Sequence, residues 1–216
     1  MSERLLRVAI IVPAFNEENT IGHVVDSISS YGTVIVINDA STDNTLKEAK
    51  KMGAIVVTHS ENKGYDEALN SGFRKASELN KEAVITFDAD GQHSHELLPV
   101  FIKCLNQGQA LVLGRRPRKQ RISESLFGLY TKYKFGWNDP LCGMKGYNMN
   151  LFNKLGYFDS MNSIGTELAF FGVSNHYKFL EIPIPEIKRV DSPRFHSSLT
   201  ANYKIIHSLF NLLRKY

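Results

Sequence analysis

The chain has 216 residues, 43% of them hydrophobic, and 26 basic against 22 acidic side chains give a formal net charge of +4. This supplies one substantial core in one compact domain, and the mild basic excess favours an anionic partner without choosing among nucleotide, nucleic acid and membrane surface. Cys104 and Cys142 lack CxxC spacing and a nearby second pair, so neither a disulfide framework nor a zinc cluster is suggested and a reducing cytosol fits best, and the apolar run Val8 to Val12 is too short for a signal segment or a membrane span.

Short apolar runs alternate with segments of helical period, the pattern of βαβ units and a mostly parallel sheet flanked by helices. The strands are expected at Val8 to Val12, Thr33 to Ile37, Ala54 to Thr58, Ala83 to Phe87 and Ala110 to Leu113. Ile21, Val24, Val25 and Ile28 predict the first helix, capped by Asn19 or Thr20. A second runs from about Asp43 to Gly53, a third from Tyr65 to Leu79, and a fourth through Leu97, Val100, Phe101 and Leu105. The basic, aromatic stretch Arg115 to Trp137 reads as a lid or acceptor-side insertion rather than sheet core. A strand around Lys178 to Ile187 carries Pro183 and Pro185 and is confined to a sheet edge. The organisation is a domain over 1–195 followed by an amphipathic helix over 196–216.

Ligands of parallel α/β sheets bind beyond the carboxyl ends of the strands. There the chain carries Pro13 to Glu18, Asn38 to Asp43 and Asp88 to His93. Neither GxGxxG nor GxxxxGK[ST] occurs, so a diphosphate here needs positive charge from elsewhere, and a divalent ion held by carboxylates supplies it. Asp88 and Asp90, two residues apart in extended chain, point to one face roughly 6 to 7 Å apart. With Gln92 they make an oxygen set suited to Mg²⁺ or Mn²⁺, while His93 and His95 keep zinc open. The blander alternatives are that Asp90 caps a helix, Asp39 closes an Asx-turn, and Glu17 and Glu18 favour a helix dipole.

These elements together resemble the family 2 glycosyltransferases of GT-A fold, in the branch of dolichol-phosphate mannose synthase. Val12-Pro13-Ala14-Phe15-Asn16-Glu17-Glu18 is similar to V-P-A-Y-N-E-E, Asn38 to Asp43 to D-D-G-S-T-D, and Asp88-Ala89-Asp90-Gly91-Gln92-His93 to the metal-binding D-A-D-x-Q-H. Gly114-Arg115-Arg116 and Asp139 to Lys145 stand where Gly-Ser-Arg and D-x-x-x-G-F-R are usual. Asn38, Ala40 and Lys145 depart from the pattern, and Arg189 to Arg194 matches the basic segment only loosely. The membrane helices that many relatives carry after the catalytic domain are not expected.

The resemblance implies an inverting hexosyl transfer from a UDP- or GDP-sugar to a polyprenyl (dolichyl-type) phosphate. Pro13, Ala14, Phe15, Glu17, Asp39, Asp88, Ala89, Arg116, Arg121, Lys145, Arg189 and Arg194 would bind the nucleotide sugar. Asp88, Asp90 and Gln92 would hold the metal, and Arg116 would meet charge on the leaving diphosphate. A sugar-hydroxyl acceptor, as in polysaccharide synthesis, would need a base, Asp139 or Glu167. A non-catalytic nucleotide-sugar binding module is the remaining alternative, and a sugar nucleotidyltransferase is disfavoured by the acidic first loop. No nucleic-acid partner is expected, while a homo-oligomer or a membrane-protein partner stays open. Leu199, Tyr203, Ile206, Phe210 and Leu213 recur at helical spacing and predict peripheral contact with the cytoplasmic membrane face, unless that helix packs on its own domain or a partner.

Overall fold

The computed structural model describes residues 5–91, 93–119, 121–185 and 198–216. The expected strand at Val8 extends as β1 (Val8–Ala14), followed by α1 (Ile21–Ile28), β2 (Thr33–Asn38), α2 (Thr45–Lys51), β3 (Ile55–Thr58), α3 (Tyr65–Glu78) and β4 (Ala83–Thr86). Next come α4 (Leu98–Asn106), β5 (Leu111–Arg115), α5 (Ile122–Phe135), β6 (Lys145–Asn148), α6 (Met149–Leu155), α7 (Glu167–Ser174), β7 (Phe179–Pro183) and α8 (Ser198–Lys215). The seven strands lie in the order β3-β2-β1-β4-β6-β5-β7, and only β6 runs antiparallel to its neighbours.

The central strands are apolar on both sides because both faces are covered, as parallel sheets require. Along β1, Val8, Ile10 and Val12 join one core with α1, α2 and α4, whereas Ala9 and Ile11 join a second with α3 and α5 to α8. Sequential strands run outward from β1 through β2 to β3 on one side, and the chain restarts at β4 on the other. The crevice where the order reverses lies at the carboxyl ends of β1 and β4.

Several expectations shift. The second helix starts later than expected: Asn44 is its N-cap, and Asp43 Oδ1 accepts from Thr45 N at 2.9 Å beside it. The stretch from Arg115 to Trp137 is not an insertion outside the core: Phe127 and Trp137 are fully buried, because α5 lies against the second core. β7 is an edge strand that ends on Pro183, in keeping with a residue that cannot donate to a ladder; 186–187 of the expected strand lie outside the described residues. α8 packs along α5 and buries Ala201, Ile205, Ser208 and Leu212. No helix among the described residues is long and apolar enough to cross a membrane.

Candidate active site

A cavity of about 850 Å³ opens over the β1/β4 crevice. Of the residues expected there, Pro13, Glu17, Asp88, Ala89, Asp90 and Arg116 line it. Ala14 is buried in β1, Phe15 stands half-exposed outside the lining, and Gln92, Arg189 and Arg194 lie outside the described residues.

Asp88 stands two residues past the end of β4, after Phe87, and its carboxylate rests against the Cα of Gly143, where any Cβ would overlap it. His93 touches the same residue twice, Nδ1 accepting from Asp88 N at 3.2 Å and Nε2 lying 3.3 Å from Oδ2, and the Tyr65 hydroxyl donates to Oδ1 at 3.3 Å. No group of three or more His, Cys, Asp or Glu that would hold a metal occurs among the described residues, so the site is not a self-sufficient cage. Two carboxylates on one cavity wall fit a hard divalent cation of the Mg²⁺ type, which takes its other oxygens from water and phosphate.

Arg116 follows β5 directly and is fixed by Asp139. Its Nε donates to Oδ2 and its Nη2 to Oδ1, both at 2.8 Å, while Arg116 N donates to Oδ2 at 2.9 Å. Burial alone would raise the Asp139 pKa, but the Arg116 hydrogen bonds and charge outweigh it and hold the carboxyl below its ordinary value. Behind the pair, Glu124 receives Arg116 Nη2 and Arg121 Nη1, each at 3.1 Å, so Arg121 supports this wall without lining the cavity. Lys145 is also behind the surface: buried, it donates to the Gly165 carbonyl at 2.8 Å, and burial pushes its pKa down to about 8 against the pull of Cys142, Asp139 and Asp88.

Three carboxylates expected in contact with substrate are engaged elsewhere. Asp39 accepts from Lys63 N at 2.9 Å and Gly64 N at 2.8 Å and sits 2.7 Å from His59 Nδ1, so it shapes the β3–α3 loop rather than facing the cavity. Asp139 is clamped to Arg116. Glu167 is fully buried at the start of α7, away from the lining; it accepts from Ser160 N and Lys215 Nζ at 2.6 Å and from the Tyr216 hydroxyl at 2.9 Å.

Other lining residues carried no expectation of a place in the site. Lys63, Gly64, Tyr65 and Asp66 follow β3, and the rule that the carboxyl edge binds ligands would have found them. Asp66 accepts from Ile164 N and Gly165 N, and burial with the Asp159 charge raises its pKa to about 7. Met161, Asn162 and Ile164 form one flank, with Ile164 held at φ 60, a left-handed conformation rare for a β-branched residue. Arg118 stands by Arg116, and Tyr203, Lys204 and His207 of α8 complete the wall.

The carboxyl-end crevice of the sheet thus holds two neighbouring carboxylates and an arginine fixed by Asp139. The family description "Glycosyl transferase family 2" matches residues 9–170, and the chain belongs to that family. It is 30% identical over 219 residues to an uncharacterised protein of Methanocaldococcus jannaschii, covering 93% of this chain and 89% of that one. It is 28% identical to the dolichyl-phosphate hexose transferase of Haloferax volcanii, over 84% and 83% of the two chains. Among solved structures, glucosyl-3-phosphoglycerate synthase from Mycobacterium tuberculosis with Mn²⁺ and UDP-glucose superposes with a TM-score of 0.78 at 23% identity, covering 96% of this chain and 79% of that one. The last likeness establishes the GT-A fold.

Proposed function

We propose that the chain transfers a hexose from a UDP- or GDP-sugar to a polyprenyl phosphate at the cytoplasmic face of a membrane. A phosphate oxygen of the acceptor attacks the anomeric carbon, the bond from that carbon to the diphosphate breaks, and the nucleoside diphosphate leaves with the electron pair. Asp88 and Asp90, with Gln92, are the residues for Mg²⁺ or Mn²⁺, which would neutralise diphosphate charge when bound. Arg116, held by Asp139, meets the charge that grows on the same group, and such fixed electrostatic contacts commonly lower the barrier of a transfer reaction more than any other single effect. The domain over 1–195 provides the donor half, and the helix over 196–216 provides a wall on the acceptor side, where Lys204 and His207 line the same cavity as Arg118. The M. tuberculosis synthase with Mn²⁺ and UDP-glucose and the dolichyl-phosphate relative support the donor, metal and acceptor classes.

The observation that carries this reading is the disposition of the carboxylates. Asp139 and Glu167, the bases a hydroxyl acceptor would call on, are both ion-paired and outside the cavity, as an acceptor that is already an anion permits. One observation favours a sugar hydroxyl instead: Asp66 lines the cavity with a pKa near neutrality. The test is release of nucleoside diphosphate from UDP- and GDP-hexoses with Mn²⁺, using a short-chain polyprenyl phosphate or a free sugar as acceptor. Release driven by the lipid phosphate and unaffected by Asp66→Asn is expected. Release driven only by sugars and abolished by Asp66→Asn would replace this reading with the hydroxyl one, and binding without release under any acceptor would reduce the chain to a binding module.

A further inference from the structure

α5 and α8 lie side by side, Ser123 N and Oγ donating to Asn202 Oδ1 at 3.3 and 2.5 Å across their contact. Each turns one stripe inward: Phe127, Gly128 and Thr131 on α5, and Ala201, Ile205 and Leu212 on α8. The outward stripes are apolar as well. Ile122, Leu126, Leu129 and Tyr133 recur at helical spacing on α5, with Ile122 79% and Tyr133 90% exposed. Leu199, Tyr203, Ile206, Phe210 and Leu213 do the same on α8, with Leu199 82% and Phe210 57% exposed. By position around each helix, both stripes point away from the buried faces and lie on the outer side of the α5–α8 contact.

Charge selects what covers this surface. Glu124 is the one acidic residue in the two helices, and it is buried between Arg116 and Arg121. Lys132, Lys134 and Arg214 are exposed, Arg214 lying 5.8 Å over the Phe210 ring. A symmetric contact with a second copy would set these cations against their own kind with no carboxylate from either helix between them. An anionic headgroup layer over an apolar interior matches both features. We infer that the α5–α8 face docks on an anionic lipid bilayer, with the apolar stripes in the headgroup boundary and Lys132, Lys134 and Arg214 on lipid phosphates. Tyr203, Lys204 and His207 belong to the same helix and line the cavity, so docking brings the cavity mouth to the lipid surface. The purpose of this contact rests on the lipid-phosphate reading; the contact itself does not.

Vesicle flotation of the full chain, with neither donor nor acceptor, separates the two. The chain is expected to float with phosphatidylcholine vesicles containing phosphatidylglycerol, at least tenfold less with phosphatidylcholine alone, and less as salt rises. Tyr133→Asp and Phe210→Asp, at exposed positions outside the cavity lining, should each lower flotation several-fold while thermal unfolding and nucleoside diphosphate binding stay as in the parent. A parent chain that remains unbound at low salt, or binding indifferent to lipid charge, overturns the inference. So does a dimer by light scattering that the same two substitutions dissociate. Flotation without transfer to polyprenyl phosphate would leave the docking face standing and remove the acceptor reading.

Discussion

Arg116 and Asp139 are joined by two parallel hydrogen bonds, both of 2.8 Å, with a third from the Arg116 amide, so the guanidinium is aimed before any donor arrives. Asp139→Asn keeps the size of the side chain but loses the charge and one acceptor oxygen. It should lower kcat by roughly tenfold or more while leaving donor affinity close to the parent, because the fixed arginine matters most as charge grows on the diphosphate. Where kcat shows an acid limb near neutrality, it should persist in the variant, since Arg116 holds the Asp139 carboxyl below its ordinary pKa. Loss of that limb would instead make Asp139 the base.

Asp88→Asn and Asp90→Asn should each abolish the Mn²⁺-dependent part of UDP binding, read by calorimetry with and without metal. Neither carboxylate belongs to the apolar core, so both variants should unfold cooperatively without metal, with Asp88→Asn losing about 1 kcal/mol because its charge faces His93 and the Tyr65 hydroxyl. Equal UDP affinity in both variants would remove the cation from this wall.

Ala40 stands at φ 59, where the family pattern has glycine. A left-handed L-residue costs roughly 1–2 kcal/mol, and glycine's greater freedom in the unfolded chain returns roughly 0.5–1 kcal/mol of this. Ala40→Gly should therefore stabilise the protein by about 0.5–1 kcal/mol and raise Tm by roughly 1–4 °C. A lower Tm would mean that the neighbouring turn, where Ser41 N donates to Asn38 Oδ1 at 3.3 Å, does not keep its geometry in the variant.

Lys145 gives stability a pH dependence of opposite sign to most lysines. Its folded pKa, lowered by burial to about 8, lies below the ordinary lysine value of 10.5, so the unfolded chain binds more protons between these limits. The protonated lysine opposes folding fully below pH 8, and this cost is relieved as pH rises from about 8 to 10.5. Denaturant midpoints across that range should rise in the parent relative to Lys145→Met, in which the increment disappears. Parallel curves for the two proteins would show a lysine that stays charged in the fold.

Much of this architecture can be read from the chain because the parallel strands are buried on both faces: Val8 to Val12 and Thr33 to Ile37 are continuous apolar runs. β6 is illegible for the converse reason. Lys145-Gly146-Tyr147-Asn148 has no strand-like run; it is a strand because its backbone fills the gap between β4 and β5, and Tyr147 is buried edge-on to Phe73 at 5.4 Å. In the site, proximity to a strand end identifies Glu17, Asp88, Asp90 and Arg116, whose backbone position is local information. The tasks of Asp39 and Glu167 are not local. The Asp39 carboxylate is spent on amides of Lys63 and Gly64, and Glu167 on a lysine 48 residues away. The helix spacing from Leu199 to Leu213 marks an apolar stripe but not its direction; a second stripe, Ala201, Ile205 and Leu212, is the one the fold buries.

That distant pair has its own consequence. Lys215 Nζ reaches Glu167 at 2.6 Å, Tyr157 Oη at 2.7 Å and Ser160 Oγ at 3.0 Å, which ties the last turn of α8 to the loop before α7. Glu167 is fully buried while Lys215 is about one-third exposed, so removing the lysine leaves a buried carboxylate short of its cation, compensated in part by Ser160 and Tyr216. Lys215→Met should cost about 1–3 kcal/mol, below the roughly 3–5 kcal/mol of a fully desolvated pair because water screens its outer half. Glu167→Gln, which keeps hydrogen-bonding capacity without the charge, should cost less. Because Tyr203, Lys204 and His207 of the same helix line the cavity, a loosened last turn should raise KM for the acceptor several-fold and leave the UDP dissociation constant unchanged. Equal weakening of donor and acceptor would trace the effect to the whole fold, whereas a selective rise in acceptor KM would show that Glu167 acts on the reaction through the placement of α8.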